Sequence, residues 1–290
     1  MKAIVQKTVR KTAEGISDMP EKRRILTRPA LSDIMPDRKI RPPQSRSRKE
    51  TAPVKTFRKA LTFSYDDGVR QDERLIRLFN EYGMKATFNL NSALLGKEGA
   101  LVRNGVEIRH DKADPEKVRE IYRGHEIAAH TLTHPLLPGL SDDEVVREVE
   151  EDRLALSKLA GYEVVGMAYP GGGKNHDDRV ARLVRERTGI RYARTIISGY
   201  TFGPEQDLYR FRPTVYHLEF GKVEEMIDAF LALQPEDPAV LYIWGHSYEF
   251  DAWDFWDRFE GWLKKLAGKD DIFYGTNREV LLSDAWQKGI

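Results

Sequence analysis

The sequence predicts an α/β protein built on a parallel sheet. From residue 60 onward, short apolar runs alternate with longer amphipathic segments, which is the pattern of repeated strand–helix units. The composition allows a substantial core, since 40% of the 290 residues are hydrophobic and 32% are charged. Periodicity alone does not distinguish an open sheet from a closed barrel.

Strands are predicted where short apolar runs are bounded by turn residues. The first run, 60–65, is followed at once by Asp66-Asp67-Gly68, and the most hydrophobic run precedes His246. The predicted strands are 60–65, 85–90, 125–130, 164–169, 192–197, 239–244 and 271–274.

Helices are predicted where apolar residues recur at helical spacing. In 72–82 the large apolar side chains share one face and Gly83 closes the segment. Ser141 and Glu144 form a capping-box pattern that opens a long helix. The predicted helices are 72–82, 114–122, 141–159, 177–187, 223–233 and 253–266, and residues 96–105 are predicted to be a polar loop that lengthens one edge.

Charge divides the chain into two parts. Residues 1–60 contain 17 Lys/Arg and 6 Asp/Glu, a net charge of +11, and the remaining 230 residues carry −10. Residues 1–56 contain six prolines and no sustained periodicity, so they are predicted to form a weakly ordered basic arm before one folded domain over 57–290. Such an arm could attach to an anionic polymer, although basic extensions are common and unspecific.

The absence of cysteine excludes disulfides, thiolate metal sites and a cysteine nucleophile. The first residues lack the apolar stretch of a secretory signal, and no run is long enough to span a membrane. We therefore expect a cytoplasmic protein, or an extracellular one if the start of the chain is misassigned. Neither a membrane span nor nucleic acid binding is expected, and the sequence does not reveal the oligomeric state.

Two motifs together indicate an open metal site. Asp66-Asp67 lies where a predicted strand breaks into a loop, a usual position for functional groups in α/β proteins. His130 and His134 can point the same way if their segment coils, and a carboxylate would complete a three-ligand set with a free coordination position. One aspartate could bind the ion while the other accepts a proton. Each motif alone could also be an ordinary turn or helical pair.

These motifs resemble those of the polysaccharide deacetylases, carbohydrate esterase family 4. The family's Asp-Asp-Gly strand end appears as residues 63–68, its His-Ser/Thr-x-x-His signature as residues 130–134, and its late strand before a histidine as residues 241–246. The stretch from Trp244 to Phe250 is most similar to the gellan-lyase-associated branch. The resemblance covers about residues 57–276 and implies a distorted (β/α) barrel of about six or seven parallel strands.

The resemblance also implies the roles of individual residues. Asp67, His130 and His134 would hold one divalent ion, most simply Zn²⁺, with Co²⁺, Ni²⁺ or Mn²⁺ as alternatives for mixed nitrogen and oxygen ligands. Asp66 would be the catalytic base and His246 the general acid. The substrate would be an acetylated oligo- or polysaccharide, deacetylated at nitrogen or oxygen.

A third family motif, Arg-x-x-Tyr-Pro, is only half present. Tyr169 and Pro170 match it, and Gly171 follows, so the Tyr169 backbone N–H is the expected oxyanion donor and Pro170 and Gly171 are expected beside the substrate. The motif arginine is replaced by Gly166. Arg194, on the next predicted strand, is the candidate to orient Asp66 in its place, although it could equally form a structural ion pair.

Several residues remain without a firm role. Trp244 and Tyr248 are candidate walls of the substrate pocket, and Glu249 or Asp251 could orient His246. No spacing gives a role to the remaining histidines, His110, His125, His176 and His217. Two further functions stay open: a carbohydrate-binding relic that has lost activity with the motif arginine, and a metal-dependent amidohydrolase acting on a small non-sugar amide.

Overall fold

The computed structural model describes residues 58–203 and 207–287. The predicted basic arm, residues 1–56, lies outside the described residues. The strands are β1 Lys59–Asp66, β2 Ala86–Leu90, β3 Ala100–Arg103, β4 Val106–Arg109, β5 Glu126–Ala129, β6 Gly166–Ala168, β7 Tyr192–Arg194, β8 Val215–Tyr216, β9 Ala239–His246 and β10 Ile272–Tyr274.

Nine helices accompany these strands in the described part of the chain. They are α1 Asp72–Glu81, α2 Val118–Ile121, α3 Asp142–Ala160, α4 Asp178–Arg187, α5 Phe220–Ala232, α6 Glu249–Trp253, α7 Trp256–Leu266, α8 Asn277–Leu281 and α9 Asp284–Gln287. Among the helices described, none combines the length and the apolar character needed to cross a bilayer.

Seven strands form a curled sheet in the order β7-β6-β5-β2-β1-β9-β8, and every neighbouring pair is parallel. β10 adds to the first residues of β1. The two edge strands, β7 and β8, are brought together by the segment that joins them. In this segment the Phe211 N–H donates to Ala193 O of β7 at 3.0 Å, and a few residues later β8 pairs with β9. The sheet therefore curls into a distorted barrel, and the predicted fold class is confirmed.

Burial explains why β1 is central. All eight of its residues are buried, because neighbouring strands flank it and side chains pack on both of its faces. The sequence indicated this strand because its apolar residues, which alternate with Thr62 and Ser64, are followed directly by the turn residues Asp66-Asp67-Gly68. The capping box of α3 is also present, with the Ser141 side chain accepting from the Glu144 N–H.

Three predicted elements differ from the structure. The expected loop 96–105 contains part of an antiparallel hairpin, β3–β4, whose turn residues Asn104 and Gly105 have φ of 52° and 74°. The expected helix 114–122 is helical only over Val118–Ile121. The expected helix 253–266 is divided at Asp254, whose φ of 49° ends α6 before α7 begins.

Candidate active site

The carboxyl ends of the barrel strands surround one cavity of about 630 Å³. Of the site residues expected from the sequence, all but Pro170 and Arg194 line it. The lining residues are Asp66, Asp67, Leu94, Leu101, Arg103, His110, Lys112, His130, His134, Tyr169, Gly171, Gly172, Ile196, Tyr216, Trp244, His246, Tyr248 and Glu249. The role expected for Pro170 stays a prediction.

Asp67, His130 and His134 form a candidate metal site. Their ligand atoms all lie within 4.8 Å of one another, and Asp67 Oδ1 is 4.0 Å from His130 Nε2 and 3.6 Å from His134 Nε2. His130 Nδ1 lies 2.8 Å from the Ala168 carbonyl oxygen, which fixes the ring tautomer and leaves Nε2 free to bind an ion. Two imidazoles and one carboxylate in this arrangement fit a divalent ion with an open coordination position.

The two candidate ligand histidines, His130 and His134, lie on a loop and not on a helix. Thr131 and His134 have φ of 69° and 63°, in the left-handed region. Two carboxylates of α3 hold this loop: Asp152 accepts the His130 N–H at 3.0 Å, and Glu148 accepts the Thr133 N–H at 3.0 Å. The strained backbone is therefore stabilised by buried acceptors on the neighbouring helix.

Arg194 contacts Asp66 as expected from the sequence. Its Nη2 lies 2.5 Å from both carboxylate oxygens, and both side chains are buried. Asn89 Nδ2 donates to Asp66 Oδ1 at 2.8 Å. Burial alone would raise the pKa of Asp66, but Arg194 and His130 lower it below its ordinary value. Asp66 is thus held as a carboxylate beside the candidate metal site.

The packing of β6 explains why the arginine comes from β7. A Cβ added to Gly166 would lie 2.1 Å from the Tyr192 ring and hydroxyl. The Tyr192 hydroxyl is held by Glu126 Oε1 at 2.9 Å, so the ring cannot move aside freely. Any side chain at position 166 would therefore clash, and the guanidinium reaches Asp66 from Arg194 instead.

Two residues after the unexpected hairpin also reach the site. His110 Nε2 lies 3.2 Å from Asp67 Oδ2, and Lys112 Nζ donates to Asp67 O at 2.8 Å. Burial would raise the pKa of Asp67, but His110 and Lys112 lower it well below its usual range. The Lys112 contact also holds the Asp67 backbone at φ 83°. The Asn-Gly turn of the hairpin was the signal in the sequence that could have placed these residues.

Glu249, rather than Asp251, contacts His246. Its Oε2 lies 3.1 Å from His246 Nδ1 and 2.7 Å from His217 Nε2. Asp251 instead accepts from the Trp256 indole. His217 is fully buried, and a Cβ added to Gly245 would lie only 2.3 Å from its Nε2. The glycine before His246 thus makes room for a second histidine, His217, for which no spacing in the sequence predicts a role.

The expected role of the Tyr169 backbone N–H is not supported by its geometry. That N–H donates to Arg194 O at 3.0 Å in the ladder between neighbouring strands, so it is already engaged and directed toward β7. The Tyr169 hydroxyl donates to Tyr209 O at 2.9 Å. The sequence motif placed Tyr169 correctly at the cavity, but it could not show where the N–H points.

The expected aromatic walls are present but deeply buried. Trp244 and Tyr248 are 5% and 3% exposed, and both line the cavity. The Trp244 ring stacks on Tyr216 with centroids 4.5 Å apart, and the Arg194 guanidinium lies 4.4 Å from its centroid. Tyr248 lies between His110 and His246, with ring centroids 4.9 and 5.1 Å away.

The chain is similar to several known proteins. Residues 54–193, just under half of the chain, match the family model described as polysaccharide deacetylase. A Streptomyces lividans family 4 carbohydrate esterase in complex with acetate is 13% identical, with 79% of this chain and 95% of that chain covered and a TM-score of 0.47. The Bacillus subtilis peptidoglycan deacetylase PdaC is 17% identical, with 77% of this chain and 89% of that chain covered and a TM-score of 0.46.

The Streptococcus pyogenes deacetylase PplD in complex with acetate is 20% identical, with 51% of this chain covered and a TM-score of 0.42. The present chain spans 62% of that protein's length. The matched residues 54–193 contain the three candidate metal ligands and Asp66, and end directly before Arg194. This part of the chain, residues 54–193, is therefore similar to the polysaccharide deacetylases.

Proposed function

We propose that this protein is a metal-dependent hydrolase that removes acetyl groups from a carbohydrate. The observation that carries the proposal is one cavity in which a carboxylate held by an arginine lies beside a three-residue candidate metal site. The polysaccharide deacetylase match over residues 54–193 supports a saccharide substrate. Membership of the gellan-lyase-associated branch stays a prediction.

In this proposal, Asp67, His130 and His134 hold the ion. Their mixed nitrogen and oxygen donors suit Zn²⁺ best and would also accept Co²⁺, Ni²⁺ or Mn²⁺. When bound, a divalent ion supplies Lewis-acid polarisation of the acetyl carbonyl and makes a coordinated water more acidic. Asp66 takes the proton of the attacking water, since Arg194 and Asn89 keep it ionised and oriented.

His246 completes the proposed reaction as the general acid. It lies at the end of β9, across from Asp66 in the register of β1 and β9. Glu249 accepts from its Nδ1, which directs Nε2 away from Glu249 as the proton donor to the leaving amine or hydroxyl. The products are acetate and a sugar with a free amino or hydroxyl group.

The function is tested by measuring acetate release from N-acetylated and O-acetylated oligosaccharides, with small non-sugar acetamides as controls. Release from at least one sugar, and not from the acetamides, is the expected result. Binding of sugars without any turnover would identify a binding relic, and turnover of acetamides alone would identify a non-sugar amidohydrolase. Either result would overturn the proposal.

Removal of the metal should abolish activity. Chelation is expected to stop acetate release, and added Zn²⁺ should restore it, because the proposed mechanism relies on the ion to polarise the acetyl carbonyl and to acidify the attacking water. His134→Ala should lower metal content measured by elemental analysis, since two remaining ligands hold a catalytic ion poorly. His176→Ala is the matched control, because this half-buried histidine lies outside the three-residue cluster. Full activity and stoichiometric metal in His134→Ala would contradict the ligand set.

The alkaline limb of the pH–rate profile should depend on Glu249. Burial would lower the pKa of His246, but Glu249, with smaller contributions from Asp67 and Asp66, raises it to about 9. The acid is lost as pH rises through this pKa. Glu249→Gln removes the charge that favours the protonated ring, so the limb should move to lower pH.

Glu224→Gln is the control for this change, because Glu224 pairs with Arg258 on the protein surface and lies outside the cavity. Its profile should match that of the unmodified protein. If the alkaline limb of the pH–rate profile stays at the same pH in Glu249→Gln, then His246 is not the titrating acid.

A further inference from the structure

Glu249 holds the proposed acid through one of its oxygens. Oε2 accepts from the His246 ring Nδ1 and from the His246 backbone N–H, each at 3.1 Å. The third donor to Oε2 is His217 Nε2, at 2.7 Å. Two of the three donors therefore belong to the histidine that this oxygen orients. Among the described residues, His217 is the only donor that fixes Oε2 independently of His246, while Tyr216 holds the other oxygen.

Packing holds the His217 ring in place. The side chain is fully buried, and its ring centroid lies 5.1 Å from those of both Phe250 and Phe255. The nearest atoms to a Cβ built on Gly245 are those of this ring, so the ring lies directly against β9. A ring enclosed in this way cannot rotate without displacing its neighbours. His217 is therefore a fixed point against which Glu249 can be held.

The contacts of His217 determine which ring nitrogen carries the hydrogen. Burial lowers the pKa of His217 below its ordinary value, although Glu249 acts against this shift, so the ring is neutral and has one donor and one acceptor. Nε2 faces the carboxylate of Glu249, which only accepts, and Nε2 is therefore the donor. Nδ1 is left as the acceptor, and the Tyr65 hydroxyl lies 3.4 Å from it.

These contacts connect the strands that carry the proposed base and the proposed acid. Tyr65 and Asp66 are consecutive on β1, and His246 ends β9 opposite Asp66 in the register. The side chains of Tyr65, His217 and Glu249 join β1 to the His246 ring in addition to the main-chain ladder. Because the base and the acid act on one substrate, a small displacement of either is costly.

We propose that His217 is a positioning residue for the proposed general acid. Its Nε2–H holds Glu249 Oε2 at the place where that oxygen accepts from His246 Nδ1, and this leaves His246 Nε2 directed away from Glu249 and available to the leaving group. The inference rests on the proposed deacetylase function. His217 does not line the cavity, so it acts only through Glu249.

Two substitutions of similar size separate a hydrogen-bonding role from simple filling of space. His217→Met removes the donor, whereas the amide of His217→Gln retains an N–H and an oxygen acceptor. In His217→Met we expect kcat and kcat/KM for acetate release to fall together by about 10²-fold, with KM and metal content nearly unchanged. His217→Gln should recover most of this loss. Equal losses in the two variants, or full activity in His217→Met, would overturn the proposal.

His125→Met is the matched control. His125 is also buried and hydrogen-bonded, since its Nδ1 accepts from the Ala86 N–H at 3.1 Å, but it does not line the cavity or contact Glu249. Its replacement should change thermal stability and leave kcat unchanged. A loss of kcat equal to that of His217→Met would show that the effect comes from packing and not from the contact with Glu249.

A spectroscopic test does not depend on turnover or on a folded His217 variant. The chain has seven histidines, and ¹⁵N NMR of histidine-labelled protein distinguishes the two neutral ring tautomers. His217 should carry its hydrogen on Nε2, and this proton should move upfield in Glu249→Gln as the charged acceptor is lost. The resonance is assigned from His217→Gln or by elimination with variants of the other six histidines. A hydrogen on Nδ1 would overturn the proposal, because Nε2 could not then donate to Glu249.

The outcomes separate this inference from the function on which it rests. Acetate release by the unmodified protein that is equally fast in His217→Met would overturn the positioning role and leave deacetylation intact. A metal-loaded, unmodified protein that releases acetate from no sugar would overturn the proposed function, and with it the acid that His217 positions.

Discussion

Asp66→Asn is expected to lower kcat by about 10²–10⁴-fold while leaving the metal content nearly unchanged. Asp66 is not one of the three clustered ligands, and its oxygens are occupied by Arg194 and Asn89. The asparagine side chain keeps the shape but cannot accept the proton of the attacking water. Acetate-release kinetics and elemental analysis of the same preparation measure both quantities.

Asp67→Asn is the paired variant, and it should lower both activity and metal content, because Asp67 supplies the carboxylate of the proposed ligand set. Since each change also alters a buried charge network, thermal unfolding must show that both variants are folded. Metal loss in Asp66→Asn, with metal retained in Asp67→Asn, would reverse the two roles.

The alternation of strands and helices in the sequence predicted a parallel α/β sheet, and the family resemblance implied its closure into a barrel. β9 appears as a continuous apolar run, and in β1 apolar residues alternate with Thr62 and Ser64; their carboxyl ends carry Asp66, Asp67 and His246. In a parallel sheet the carboxyl ends of neighbouring strands meet at one edge. The residues that follow β1 and end β9 were therefore predictable as neighbours, although these two strands are far apart in the chain.

Contacts that depend on how the loops pack against the rest of the domain could not be predicted from the sequence in the same way. His130 and His134 share a spacing typical of a helix, but acceptors from α3 hold their loop in left-handed conformations. Lys112 reaches Asp67 only because a hairpin precedes it. These contacts depend on tertiary packing, which overrides local spacing.

The direction of individual hydrogen bonds could not be predicted from the sequence either. Tyr169 was placed correctly at the cavity, yet its N–H belongs to the ladder with Arg194. His217 had no recognisable spacing because its partner Glu249 is distant in the chain and the space for its ring is created by Gly245. A motif identifies residue types, whereas the direction of each donor depends on the folded backbone.

Arg194→Met is expected to lower kcat/KM by about 10²-fold or more, in line with the loss of an oriented general base. The change removes the only guanidinium in contact with Asp66 among the described residues and puts the long apolar side chain of methionine in its place. It also raises the pKa of Asp66, because burial then acts without its main opposing charge. The acidic limb of the pH–rate profile should therefore move to higher pH.

Two variants show whether position or charge is responsible. Arg194→Lys keeps the charge but cannot reproduce the planar guanidinium contact with both Asp66 oxygens. Compared with Arg194→Met, it should therefore return the acidic limb of the pH–rate profile to its original position more fully than it returns kcat/KM to its original value. Arg153→Met removes another largely buried arginine, paired with Glu150 on α3, and should affect stability without changing the pH profile. Equal losses of kcat/KM in Arg153→Met and Arg194→Met would show that Arg194 forms only a structural ion pair with Asp66.

Restoring an arginine at position 166 should not rescue Arg194→Met. The family motif carries its arginine there, but in this chain the Tyr192 ring fills the space that a Cβ at Gly166 would need. Adding Tyr192→Gly to the double variant opens that space, at the cost of the hydroxyl that contacts Glu126. If arginine at 166 restores the rate only in this triple variant, measured as kcat/KM for acetate release, then Gly166, Tyr192 and Arg194 form one coupled replacement for the motif arginine. Rescue without the Tyr192 change would contradict the steric argument.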